Sequence, residues 1–301
     1  MKGRVISGKT RLCGLIGDPV EHSMSPVMHN AAFKKIGLDY LYLPFRVKKE
    51  ALGKAIEGMR ALNIKGLNVT IPHKVAVLRF LDKLDPLAEK IGAVNTIVND
   101  AGVLTGYNTD ASGWLQALLE RGVAPEGKNI VILGAGGAAR AISFILAERG
   151  ARLVILNRPS GLDGAKKLAN RISRIFTKEV EALELNRENL AAVLGKADIL
   201  VNATSVGMSP ETDQTPVDAD RLRSGLTVFD IVYNPIKTRL LREAEMAGAE
   251  IIGGLDMLVW QGALAFEKWT GQKAPIKLMK EAAIKLLRGS LETHPPAPFP
   301  S

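Results

Sequence analysis

The sequence predicts an α/β protein built as two domains. Three observations carry that expectation. Strand-like and helix-like patterns alternate along the 301 residues, the arrangement that layers helices on sheets. Near residue 129 the pattern shifts from short strands and a hairpin to β-branched apolar runs of the kind buried in parallel sheets. At that shift stands a glycine-rich turn, "ILGAGGAAR", between an apolar strand and an amphipathic helix. A chain of this length can bury two cores of ordinary size.

Each element can be justified in order. "RLCGLIG" reads as the first strand. "PVMHNAAFKKIG" reads as a helix with Pro26 in its first turn, Ser25 as its N-cap and Gly37 ending it. "DYLYLPFRV" is a strand, "EALGKAIEGMRALN" a helix and "KGLNVT" a strand, with "HKVAVLRFLD" expected to follow as a helix. "AVNTIVND" and "VLTGYNTD" form a hairpin around Ala101-Gly102. Asp110 then stands before the helix "ASGWLQALLERG", where an N-cap is expected. "NIVIL" and "RLVILNR" are strands on either side of the glycine turn and its helix. "ADILVNAT" and "LTVFDIVY" add two buried strands and "AEIIGG" another. Two amphipathic helices, near 255–270 and 275–288, end the fold. The last stretch, "LETHPPAPFPS", is Pro-rich and expected to be disordered.

Composition narrows the class. Hydrophobic residues at 47% and charged residues at 24% suit a soluble globular protein. No apolar run approaches the roughly 18 residues of a membrane span, and "MKGRVISGKTR" lacks the apolar core of a signal peptide. The single cysteine, Cys13, excludes an intramolecular disulfide and fits a reducing cytoplasm. A net charge of +9 favours an anionic partner. Bases are interleaved with acids, as in "RLLREAEMAGAE", and only 5% of residues are aromatic, so phosphorylated small molecules are expected rather than nucleic acid. His22, His29, His73 and His294 are isolated and form no metal signature. Met24, Met28, Met208 and Met257 read as packing residues.

The glycine turn places Gly134, Gly136 and Ala139 in the pattern G-x-G-x-x-G/A. Gly134 permits the tight turn, Gly136 lets a pyrophosphate approach the backbone, and Ala139 keeps the helix close to the sheet. With Ala135, Gly137 and Ala138 they form a phosphate cradle at a helix N-terminus. The end of the following strand selects the cofactor. An acid there would hold the ribose hydroxyl of NAD. This chain has Asn157-Arg158, 157 − 134 = 23 residues after the first glycine, and a guanidinium can engage a 2′-phosphate, which favours NADP.

The first half offers polar residues for a substrate. Ser23 and Ser25 precede a helix, where hydroxyls and amides could bind a carboxylate. Asn68 and Thr70 share one face of a strand. Asn95, within "AVNTI", needs a buried partner or a ligand. Lys74, in "NVTIPHK", stands where a helix start opposes a cation, which suits a lysine used for proton transfer.

Taken together, "GLIGDPVEHSMSPVMHNAAF", "GLNVTIPHK", "IGAVNTI", "GYNTDASG", "GAGGAARA", "NATSVGM", "VYNP" and "GLDMLVWQGALAF", in this order, resemble the shikimate dehydrogenase family over roughly residues 11–288. The resemblance implies an N-terminal α/β substrate-binding domain over 1–110 and a Rossmann-type NADP-binding domain over 111–254. It also implies that helices over 255–288 return to the first domain, with 289–301 as a disordered tail. The family reversibly reduces 3-dehydroshikimate to shikimate with NADPH, on the route to chorismate and the aromatic amino acids. By resemblance, Lys74 and Asp110 are the catalytic pair, and Ser23 and Ser25 hold the substrate carboxylate. Asn68, Thr70, Asn95, Gln261 and Tyr233 face ring hydroxyls, and the glycine loop with Asn157-Arg158 holds NADP. No metal is required, and assembly as a homodimer is left open. The stretch "NRPSGLDGAKK" departs from the family's usual pattern, with Pro159 in place of a hydroxyl residue and Leu162 in place of a base.

Two rivals stand beside this reading. One is a quinate/shikimate dehydrogenase of the same fold using NAD or both cofactors. The other is a non-catalytic ligand sensor on the same scaffold, which the presence of Lys74 and Asp110 and the lack of a fused DNA-binding segment disfavour.

Overall fold

A computed structural model describes residues 6–293. The chain divides into two compact units, one comprising residues up to Thr109 together with those from Gly262 onward, the other Asp110–Gln261.

The first unit begins with β1 (Arg11–Gly17), α1 (Ser25–Ile36), β2 (Tyr40–Arg46), α2 (Leu52–Ala61) and β3 (Gly66–Val69). It continues through β4 (Lys83–Leu84), α3 (Pro86–Ile91), β5 (Thr96–Asp100) and β6 (Val103–Tyr107). The strands lie in the order β2-β1-β3-β5-β6-β4. β1 pairs in parallel with β2 and β3, whereas β3, β5 and β6 alternate in direction. The β5–β6 turn is made by Ala101 and Gly102, both at positive φ, 51° and 90°, the conformation that a two-residue hairpin needs. The carboxyl ends of β1, β3 and β6 and the start of β5 therefore meet at one edge of the sheet.

The second unit holds α4 (Thr109–Leu119, entered from the first), β7 (Asn129–Leu133), α5 (Gly137–Glu148), β8 (Arg152–Asn157), α6 (Leu162–Phe176) and β9 (Val180–Glu184). It goes on through α7 (Arg187–Leu194), β10 (Ile199–Asn202), β11 (Thr227–Asp230), α8 (Arg239–Met246) and β12 (Glu250–Gly253) to α9 (Gly254–Thr270). The last helix, α10 (Ile276–Thr293), belongs to the first unit and packs on α1. All six strands of this sheet are parallel, in the order β12-β11-β10-β7-β8-β9. The chain starts in the middle at β7, winds outward to β9, then returns to β10 and winds the other way. In such sheets ligands bind at the carboxyl ends of the strands where the direction reverses, here between β7 and β10.

The structure departs from the sequence reading in several places. α6, β9, α7 and α8 were not anticipated. α6 buries only a narrow stripe, Ala165, Leu168, Ala169 and Ile172, within a polar segment, and β9 is a half-exposed edge strand with glutamates at Glu181 and Glu184. The helix expected over "HKVAVLRFLD" is a short 3₁₀ turn, Ala76–Phe80. The Lys74 carbonyl accepts the Val94 amide at 2.8 Å, a bond from outside the segment, and 3₁₀ geometry is what such short runs adopt. The electrostatic effect expected from a helix terminus at Lys74 thus has no α-helix to produce it. Ser25 does not cap α1. Met24 is already in the right-handed helical region and takes the cap position without a side-chain bond. The Ser23 hydroxyl instead accepts the Ser25 amide at 3.3 Å. Asp110 is likewise inside the first turn of α4 rather than at its cap. α10 runs to Thr293, past the expected end near 288; of the expected disordered tail, 294–301 lies outside the described residues.

Trp269 closes the core of the first unit. It is 2% exposed, its indole lies against Gly66, where any side chain would collide with it, and its Nε1–H donates to the Ile97 carbonyl at 3.0 Å. Replacement by alanine removes a large buried ring and its hydrogen bond to that carbonyl. Trp269→Ala is expected to cost about 3–5 kcal/mol of stability, read as a fall in the urea midpoint of the first unfolding transition.

Candidate active site

In the first unit, most of the polar residues singled out in the sequence collect at the shared sheet edge. Asn95 precedes β5 and is 2% exposed. Its main chain donates to the Tyr107 carbonyl at 3.0 Å and accepts the Val69 amide at 2.8 Å, so it ties β3 to β6. Its carboxamide accepts the Thr109 amide at 2.7 Å and donates to the Thr109 hydroxyl at 2.9 Å. Asn95 thereby supplies the cap of α4 that Asp110 was expected to supply. Asn68, on β3, donates through Nδ2 to the Asn95 carbonyl at 3.3 Å and the Thr96 hydroxyl at 3.1 Å. Its Oδ1 accepts the Tyr42 hydroxyl at 2.7 Å. Ser25 is buried beside this group and Ser23 is half-buried.

Lys74 and Thr70 lie on the segment that leaves β3, and both are half-buried. The segment is held from three sides. The His73 amide donates to the Thr70 carbonyl at 2.9 Å, the His73 ring meets the Val47 carbonyl at 2.6 Å, and the Lys74 carbonyl takes the Val94 amide. A buried side chain on one side of Lys74 thus fixes where its stem departs, while Ile71 and Val75 around it are 70% and 56% exposed.

In the second unit the glycine loop stands at the reversal point of the sheet. Gly134 has φ +102°, and a Cβ on it would come within 3.0 Å of the Ala203 carbonyl and 3.1 Å of the Thr204 methyl, so only glycine fits between β7 and the chain leaving β10. Gly136 is different. Its φ of −74° suits any residue, and a Cβ there would meet nothing within 4 Å. The fold does not itself require glycine at 136; an approaching pyrophosphate would. Gly136 and Gly137 are exposed and Ala135 and Ala138 half-buried at the start of α5, while Ala139 is buried beneath it. The donor set therefore fits a dinucleotide. Beyond β8, Asn157 secures the loop: its Nδ2 donates to the Gly161 carbonyl at 3.0 Å and its Oδ1 accepts the Arg158 amide at 3.0 Å. Arg158 is exposed, with no carboxylate at ion-pairing distance among the described residues.

Asp110 and Gln261 belong to this second unit. α4 and α9 approach closely at Gly113, one turn after Asp110, where a Cβ would lie 2.6 Å from the Gln261 amide nitrogen. The Arg121–Asp256 ion pair at 3.0 Å and the Trp260 indole on Glu120 at 2.8 Å brace the same two helices. Gln261 donates to the Leu258 carbonyl at 2.8 Å. Tyr233, after β11, is half-buried, and burial raises its phenol so that it stays a neutral hydroxyl. Nearby Asp230 is 0% exposed and accepts from Asn202 at 2.9 Å, the Val232 amide at 3.0 Å and Thr238 at 2.6 Å. Asn202 in turn holds Thr204, amide and hydroxyl, at 3.1 and 2.7 Å, in the loop against which Gly134 rests.

Sequence reading missed Tyr42, Thr96, Thr109, Asn202 and Asp230. Tyr42 and Asp230 sit in strands where an aromatic or a lone acid looks like ordinary filler. The sequence signals were the polar runs that contain them, "GYNTD" around Thr109, "AVNTI" around Thr96 and "NATS" beginning at Asn202.

This combination, a doubly wound dinucleotide-binding unit together with an α/β unit that has a polar, hydroxyl-rich sheet edge, defines a class of nucleotide-dependent two-unit α/β proteins. The comparisons with known proteins narrow it. The model of the shikimate dehydrogenase substrate binding domain matches residues 15–97, that of shikimate / quinate 5-dehydrogenase 118–235, and that of the shikimate 5′-dehydrogenase C-terminal domain 254–284. The chain is 52% identical over 276 residues to a protein of Dehalococcoides mccartyi named shikimate dehydrogenase (NADP(+)), covering 91% of this chain and 96% of that one. A crystal structure of a shikimate dehydrogenase in complex with NADP⁺ is similar with a TM-score of 0.89 at 45% identity, covering 95% and 99% of the two chains. Another, of the shikimate 5-dehydrogenase from Listeria monocytogenes in complex with shikimate and NAD, is similar with a TM-score of 0.88 at 44% identity, covering 93% and 98%. The chain belongs to the shikimate dehydrogenase family.

Two measurements follow from the second unit. Burial pushes the Asp230 carboxyl from 3.8 up to about 6. The folded state therefore favours its protonated form, so its contribution to stability is intact below about pH 4 and lost as pH rises through about 6. Asp230→Asn removes that loss. The stability of Asp230→Asn relative to the parent chain is expected to rise by about 3 kcal/mol between pH 4 and pH 7, measured by denaturant titration at each pH. Arg158→Ala is expected to lower the ratio of kcat/KM for NADP over NAD by about 10- to 150-fold, the worth of one charge-assisted contact; steady-state kinetics with both cofactors reads it.

Proposed function

We propose that this chain is an NADP-dependent shikimate dehydrogenase that reversibly reduces 3-dehydroshikimate to shikimate. The observation that carries the reading is the hydrogen-bonded group of Asn68, Asn95 and their partners at one sheet edge, in a chain related over nearly its whole length to proteins of that name. Carboxamides and hydroxyls held in fixed orientations are what a polyhydroxylated ring needs for recognition, because a site built around hydroxyls rejects analogues that leave its polar groups unpaired.

Gly134, Ala135, Gly136, Gly137 and Ala138 would hold the pyrophosphate of NADP through the start of α5, with Asn157 and Arg158 at the adenosine end. When bound, the cofactor supplies or accepts the hydride at the alcohol carbon. Ser23 and Ser25 donate to the substrate carboxylate. Asn68, Thr70, Asn95, Tyr233 and Gln261 orient the ring through its hydroxyls. Asp110 holds a substrate hydroxyl in line. In reduction Lys74 gives a proton to the carbonyl oxygen as it becomes the alcohol; in oxidation it takes that proton back. The pinned backbone on both sides of Lys74 supports this role, since proton transfer requires the amine to be placed within hydrogen-bond reach of the reacting oxygen. Among the described residues no helix is long and apolar enough to cross a membrane. A cytoplasmic location is supported by the one cysteine, Cys13, which is free and buried.

Lys74→Met keeps most of the stem and removes the amine. It is expected to lower kcat for shikimate oxidation by at least about 100-fold while shikimate and NADP still bind, as isothermal calorimetry beside steady-state kinetics would show. A Lys74→Met protein with near-normal kcat would refute the assignment of the proton step.

A further inference from the structure

Tyr42 has no place in the scheme above, yet it is fastened at both its main chain and its ring. It is 0% exposed. Asn30 of α1 clamps its main chain from the free edge of β2, with Nδ2 donating to the Tyr42 carbonyl at 2.9 Å and Oδ1 accepting the Tyr42 amide at 3.0 Å. Its ring lies flat against His29, with centroids 4.5 Å apart and planes 16° apart. The His29 ring nitrogens are buried without hydrogen-bond partners among the described residues, and burial pulls this imidazole down to about 3, so the stacking partner is neutral. Burial likewise raises the Tyr42 phenol well above its ordinary value, which keeps it a hydroxyl donor.

The tyrosine's hydroxyl reaches one of the substrate residues, donating to Asn68 Oδ1 at 2.7 Å. The direction of this bond is settled by chemistry. The Asn95 carbonyl can only accept, so the Asn68 edge facing it must be the NH₂ group. That NH₂ gives its other hydrogen to Thr96. Asn68 then has both N–H groups and one acceptor site of Oδ1 engaged, and a single acceptor site on Oδ1 left for a ligand.

We infer that Tyr42 is a positioning residue that locks the Asn68 carboxamide as an acceptor for one substrate hydroxyl. Without the phenol oxygen, Oδ1 loses the bond that fixes its direction and Asn68 presents its last acceptor site loosely. The inference rests on the shikimate dehydrogenase reading above. It makes Asn68 selective for a group that donates at that point, so a ring position carrying a ketone or ether oxygen there is rejected.

The test is a double-mutant cycle on shikimate oxidation. Tyr42→Phe is expected to raise the KM and Kd for shikimate about 5- to 30-fold, the worth of one hydrogen bond to a fixed partner, with kcat and NADP affinity within about twofold of the parent. In an Asn68→Ala background the same substitution is expected to change the shikimate KM by less than about twofold, because the residue it acts through is gone. Tyr40→Phe is the control. Its hydroxyl lies on the same strand, bonded to the Trp269 carbonyl at 3.5 Å and Arg11 at 3.2 Å, and its loss should lower the melting temperature without moving the shikimate KM. A Tyr42→Phe protein with unchanged shikimate KM, or one whose effect persists undiminished beside Asn68→Ala, would overturn the inference while leaving the parent activity intact. A parent chain that does not oxidise shikimate at all would overturn the functional reading and this inference with it.

Discussion

The arrangement of the first unit depends on Asn95. Its main chain joins β3 to β6 and its side chain takes the first amide of α4. Buried amides and carbonyls carry a penalty of roughly 1–3 kcal/mol when unpaired, and Asn95 satisfies those of three elements at once. The consequence is positional. Asn68 is oriented by the Asn95 carbonyl, Lys74 is fixed through the adjacent Val94, and α4 starts at Thr109 rather than at Ala111. Asn95 and the residue before it thus tie together the segments that carry Asn68, Lys74 and the start of α4.

The second unit solves a different problem with less side-chain chemistry. A parallel sheet wound outward from β7 leaves a crevice where the direction of winding reverses, and the space there is controlled by backbone. Gly134 is required because Ala203 and Thr204 crowd it, whereas Gly136 opens onto empty space. The polar cluster of Asp230, Asn202, Thr204 and Thr238 holds the chain that crowds Gly134. Its cost is a buried carboxyl whose ionisation burial disfavours.

Much of the fold was legible because its signals are local. β1, the β5–β6 hairpin, the glycine turn and five of the six strands of the parallel sheet were read at or near their observed limits, since alternation, turn residues and β-branched runs act over a few neighbours. The helix expected at His73–Asp82 failed for the opposite reason. A hydrogen bond from Val94, some twenty residues away, ties the Lys74 carbonyl to another part of the chain. Ser25 and Asp110 were read as caps on sound local grounds, and the caps went to Met24 and to the distant Asn95.

The sequence by itself determined the class of protein, the dinucleotide loop and the identities of the residues that could serve a hydroxylated, carboxylated substrate. Glycine spacing and polar residues at strand ends are chemical statements that need no coordinates. Only the tertiary structure decided how those residues are held. Tyr42 was indistinguishable from a strand aromatic until α1, β2 and β3 were packed together, and the donor and acceptor ends of Asn68 were undefined until Asn95 and Thr96 stood beside it. Hydrogen-bond direction is a property of pairs brought together across the fold, and no single stretch of chain contains both members.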